Sequence, residues 1–140
     1  MKSFDSPTDA IAAIRDFQRT PPAGISDHLA AKLREVADSM SPVVAICGVG
    51  EALYANRAEL NDDAKELCAG LIAFAASFGW HGLGGPRGLG IVQAMRRDAG
   101  ETSPTGKWPD AENDPAPNES YAPKQEVAPQ PGAIAAPTPQ

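Results

Sequence analysis

Twenty consecutive residues, Leu67 to Pro86, carry no Asp, Glu, Lys or Arg. Within that run Leu67, Leu71, Phe74 and Phe78 recur at steps of four, three and four, which is one stripe of an α-helix. Cys68, Ile72 and Ala75 widen the stripe. The opposite side holds only small residues: Ala69, Gly70, Ala73, Ala76 and Ser77. A helix without a charged face must be covered on most sides, and small residues let a second helix approach closely. Asp63 with Glu66 reads as a capping box, and Gly79 suits the position just past the helix end. The spacing therefore predicts a helix from Asp63 to Phe78 that contacts most of the others. A membrane span needs about 20 strongly apolar residues. This run loses that character after Phe78, where His81 and a glycine cluster follow, so the expectation is a core helix and no membrane span.

The rest of residues 1–99 supplies the helices to pack around it. Ser6-Pro7 starts the first, with Ile11, Ile14 and Phe17 inward, and Pro21-Pro22 stops it by Thr20. Ser26 caps a second, whose stripe is Leu29, Leu33, Val36 and Met40. Ser41-Pro42 repeats the start signal for a third, with Val43, Ile46, Val49 and Leu53 at helical spacing. Gly48 and Gly50 weaken that helix by about 1 kcal/mol each and invite close packing on the small side of the Asp63 helix. A short helix, Leu89–Asp98, turns Ile91, Val92 and Met95 inward. A rival parse makes Val43–Cys47 a strand and Gly48-Val49-Gly50 a phosphate loop. It needs a third glycine where Leu53 stands and a second strand leading to an acidic residue, and neither is present. The predicted fold is all-α, a compact bundle of four or five helices over residues 1–99.

Residues 100–140 differ in kind. They hold nine of the fourteen prolines and, from residue 101, −4 of the net charge of −6. So few large apolar residues cannot offset the entropy of ordering. The segment reads as a disordered acidic tail, polyproline-like near Ala128–Pro131 and Ala136–Pro139, with Trp108 and Tyr121 as its only aromatics. Its deletion is expected to leave the fold unchanged. An acidic chain is a poor partner for bulk nucleic acid, and Arg87, Arg96 and Arg97 read as a solvated helix end. The opening MKSFDSPTDA has no apolar signal-peptide core. That suggests a cytoplasmic protein with Cys47 and Cys68 reduced and buried.

Candidate chemistry centres on the loop Gly79–Gly90, GWHGLGGPRGLG, which opens onto a helix N-terminus. Gly84, Gly85, Arg87 and Gly88 could hold an anion there. The loop lacks both GxxxxGK[ST] and GxGxxG, and a helix precedes it where those motifs need a strand. Trp80, Leu83 and Leu89 make it unusually apolar for a connector: the three either fold back on the core, which is the commoner case, or with Arg87 form the candidate protein-docking set. Cys47, Cys68, His28 and His81 lack the close spacing of a zinc site, and neither a metal nor another cofactor is expected. Cys68 and His81 lie at opposite ends of a helix about 15–20 Å long, too far apart for a nucleophile and its base. Asp62, Asp63 and Glu66 suit a helix N-terminus without catalysis. Glu51 is the lone charge between Pro42 and Tyr54 and reads as a buried acid or, more commonly for such a residue, as the one wet position of a mostly buried helix. The second and third helices could mimic a helix-turn-helix, yet Val43–Leu53 offers no Arg, Lys, Asn or Gln to base edges. The sequence points to a non-enzymatic helical assembly or interaction protein. It would pack on itself as a homo-oligomer or within a larger complex, with the tail as a tether. The alternative is a small ligand-binding, anion-binding or catalytic module that uses the Gly79–Gly90 loop with Arg87, His81 and Glu51.

Overall fold

Each of the first three helices begins at a serine whose hydroxyl accepts from a backbone N–H. Ser6 takes Asp9 at 3.2 Å, Ser26 takes Leu29 at 3.1 Å and Ser41 takes Val44 at 3.4 Å. The computed structural model, which describes residues 3–19, 25–38 and 41–118, places five α-helices and no strand among them. They are α1 (Pro7–Arg19), α2 (Asp27–Ala37), α3 (Pro42–Ala55), α4 (Asp62–Ser77) and α5 (Pro86–Asp98). Single 3₁₀ turns lie at Arg57–Glu59, Trp80–Gly82 and Ala111–Asn113. No helix among the described residues is long and apolar enough to cross a membrane. Met40, expected at the end of the α2 stripe, lies outside the described residues.

The centre of the bundle is α3, not α4. Every residue from Ala45 to Tyr54 is buried, and α3 packs on α1, α2 and α4, whereas α4 packs mainly on α3 and α5. The reason lies in composition. Apart from Glu51, α3 carries no charge, and its glycines and alanines let neighbours in on every side. At Gly50 a Cβ would stand 2.8 Å from Ile72 Cδ1 and 3.4 Å from Leu71 Cβ. The close approach expected of this glycine is therefore made, but to the large residues of α4. The small side of α4 receives α5 instead: a Cβ on Gly88 would lie 3.3 Å from Ala76 Cβ.

Helix ends explain two smaller shifts. The cap of α4 is Asn61, whose Oδ1 accepts from Ala64 N at 2.9 Å, so the helix starts one residue before the expected Asp63. α5 starts at Pro86 in its first turn, three residues before the expected Leu89. Gly79, at φ 70°, ends α4 as expected. α5 closes in a Schellman motif, with Gly100 N bonded to Arg97 O and Glu101 N to Arg96 O, both at 3.0 Å, and Gly100 at φ 84°.

The largest departure is the boundary of the tail. Residues 101–118 lie back on the helices. Trp108 Nε1 donates to Glu101 O at 2.7 Å, and the Arg96 guanidinium sits 5.3 Å from the centre of its indole. Ser103 is buried and accepts from Thr105 N at 3.2 Å. Asp114 forms a bidentate pair with Arg97 at 2.9 and 2.8 Å. These bonds order a segment too polar to order itself by apolar burial. The remainder of the expected tail, residues 119–140, lies outside the described residues. A chain ending at Gly100 should lose about 2 kcal/mol, or roughly 10 °C in melting temperature for a domain of this size. That reverses the expectation from composition. A thermal melt unchanged from the full chain would show that the segment contributes nothing.

Candidate protein-docking site

The end of α4 builds an aromatic corner. Phe74 and Phe78 are one turn apart on the same face, and Gly79 then reverses the chain so that Trp80 folds back over them. Trp80 stacks on Phe78 at 4.7 Å between ring centres and meets Phe74 edge-on at 5.8 Å. Phe74 also meets Phe78 at 5.2 Å and Phe4 at 6.2 Å, both edge-on. Phe74 and the partly buried Trp80 tie the corner to the core. Phe78 remains 56% exposed, one of two large apolar residues left open among the described residues, with Leu89 at 59%. His81, at φ 50°, and Gly82, at φ 78°, turn the loop onward.

The expected docking set separates into three fates. Trp80 and Leu89 are accessible. Leu83 is fully buried and belongs to the core, because the turn at His81 and Gly82 points it inward. Arg87 is not the exposed charge anticipated. Its guanidinium forms a fork with the Glu51 carboxylate, Nη1 to Oε2 and Nη2 to Oε1, both at 2.8 Å. Glu51, the expected wet position of α3, is 0% exposed, and this pair is what lets it be there. Arg96 and Arg97 are likewise paired, with Glu101 and with Asp98 and Asp114.

The anion-site geometry fares differently from its sequence pattern. A Cβ on Gly84 would lie 2.7 Å from Gly79 Cα, and one on Gly88 only 1.9 Å from Leu83 O. These glycines serve close backbone packing. Gly85 forms the open N-cap of α5, where an added Cβ would meet nothing within 4 Å. With Arg87 committed to Glu51, no cation of the set is left to face an anion there.

Both thiols are buried and free. Burial, and secondarily the Glu51 carboxylate, push Cys47 up from 9.0 to about 11. The same causes in the same order raise Cys68, whose Sγ lies 3.2 Å from Gly50 O. Raised thiols stay protonated and unreactive near neutrality. Both should therefore react with a thiol probe only at the rate of opening in native buffer. Because unfolding releases Cys47 to its ordinary range, stability should also fall as pH rises from 9 towards 11. Rapid native labelling at pH 7 would contradict the burial. Among the described residues, no three His, Cys, Asp or Glu side chains are grouped to hold a metal ion. The buried face of α3 also removes it as a DNA-reading helix.

Phe78 was hidden from sequence reasoning by its place in the apolar stripe. The one available signal was its position next to Gly79, where the helix ends and the core contact ends with it. No protein-family model matches the chain, and no curated protein or solved structure matches it either.

Proposed function

We propose that this chain is a non-catalytic interaction subunit, which docks on a second copy or a larger complex through its aromatic corner. The observation that carries the reading is Phe78, more than half exposed yet stacked on a Trp80 that the core holds. Phenylalanine is ordinarily buried. A rigidly presented aromatic pair loses little entropy on binding, and Trp is enriched among residues that dominate interfaces. Leu89 adds a further open apolar side chain on the first turns of α5. The free, buried thiols suit a reducing, cytoplasmic setting.

Phe78→Ser should cost about 1–2 kcal/mol of folding at most, because over half of the side chain is exposed and what it loses is its ring contacts with Trp80 and Phe74. It should weaken association about tenfold or more, which is 1.4 kcal/mol or more of binding. Trp80→Ala should cost about 1–2 kcal/mol of folding through its lost ring contacts and weaken association further. Size-exclusion chromatography with light scattering reads self-association, and pull-down reads a larger complex. Wild-type assembly by both variants would remove the corner from the interface. Several kcal/mol of folding lost in Trp80→Ala, with association untouched, would make Trp80 a core residue only.

A further inference from the structure

The segment after α5 covers a groove unlike the rest of this acidic molecule. Three arginines, from α5 and the turn after α3, converge on residues 109–116. Arg97 grips Asp114 through both carboxylate oxygens and donates to Pro109 O at 3.3 Å. Arg57 stands 3.5 Å from the same carboxylate, which is only 7% exposed. The Tyr54 hydroxyl donates to Pro115 O, and Arg87 donates to Ala116 O at 3.0 Å. The Pro115 ring rests on Gly90, where a Cβ would fall 2.7 Å from its Cγ.

The groove is organised by groups outside the segment. Glu51 holds Arg87, Asp98 holds Arg97 at 2.9 Å, and the Arg57 guanidinium lies 4.4 Å from the centre of the Tyr54 ring. To these donors residues 114–116 bring one carboxylate, backbone carbonyls and a proline ring, and no large apolar side chain. That division resembles a receptor holding an extended peptide: fixed donors on one side, an acid and carbonyls on the other.

We propose that this groove recognises an extended Asp-Pro-Ala segment, filled within the chain by residues 114–116, and that the same segment of a second copy fills it between chains. A second copy is the occupant the structure supports, since its segment has the one sequence seen to fit. Exchange keeps every contact and only changes which chain provides it. Gly100 and Gly106, at φ 84° and 90°, lie between α5 and the segment and allow its path to be redirected. A tethered segment has an effective concentration of about millimolar. The wild-type groove is therefore closed within its own chain at micromolar concentration, and exchange emerges when that closure is blocked.

The test uses two full-length chains, both carrying Phe78→Ser so that the aromatic corner plays no part. Asp114→Arg disables the segment and leaves the groove; Arg97→Asp disables the groove and leaves the segment. Each alone should be monomeric at micromolar concentration by light scattering. Mixed, they should form a one-to-one heterodimer of twice the monomer mass. A mixture that stays monomeric while both chains keep their helical circular dichroism overturns the proposal, as does either chain dimerising alone. If charge reversal unfolds a chain, Asp114→Asn and Gly90→Ala repeat the test under the same criteria, the added methyl of Gly90→Ala entering the space of the Pro115 ring.

Discussion

Gly88→Ala should destabilise the protein by about 4 kcal/mol or more, a loss confined to a few mechanisms of which overpacking against backbone is one. The added Cβ would stand 1.9 Å from the carbonyl oxygen of Leu83 and 2.9 Å from its carbon. Neither atom is the free end of a side chain, so relief requires moving the loop or the helix. Moving the loop withdraws Leu83 from the core, where it is fully buried. Moving the helix separates α5 from Ala76 on α4. Alanine gains about 1 kcal/mol over glycine in helix propensity, which is too little to offset either. Gly85→Ala is the control. Its Cβ meets nothing within 4 Å and its φ is −110°, so it should change stability by less than about 1 kcal/mol. Denaturant midpoints of the two variants decide the matter: equal midpoints would mean that the α5 approach to the loop is not close.

The same contact shows what was legible in the sequence and what was not. The helices were legible because their signals are local: Ser-Pro starts, apolar residues at 3.6 spacing, Gly79 at an end. The apolar loop and Trp80 were legible for the same reason. The roles of individual glycines were not. Gly84 and Gly88 fit an anion loop in one dimension, and only the fold shows Gly79 and the Leu83 carbonyl lying against them. Leu83 and Phe78 are both apolar residues of one uncharged run, and periodicity alone puts Phe78 in the core stripe and Leu83 in the loop. Which of them is covered depends on the turn made at His81 and Gly82. Composition also failed for residues 101–118, since their order comes from donors far away in the chain. Tyr54 reaches Pro115 across 61 positions, and Arg97 reaches Asp114 across 17.

Arg87→Ala should cost about 3–5 kcal/mol, the range for a buried charge stripped of its partner. Both of the Arg87 hydrogen bonds to Glu51 vanish, and the carboxylate, inside α3 and 0% exposed, is left without its counter-ion. An exposed arginine at a helix start contributes under about 1 kcal/mol; the partner that raises the figure lies 36 residues away. Replacing both partners by apolar residues, Glu51→Leu with Arg87→Met, removes the charge along with its counter-ion and should recover most of the stability. Chemical denaturation of wild type, single and double variants measures both effects together. A single variant with a wild-type midpoint, or a double variant no better than the single, would show that Glu51 finds its compensation elsewhere.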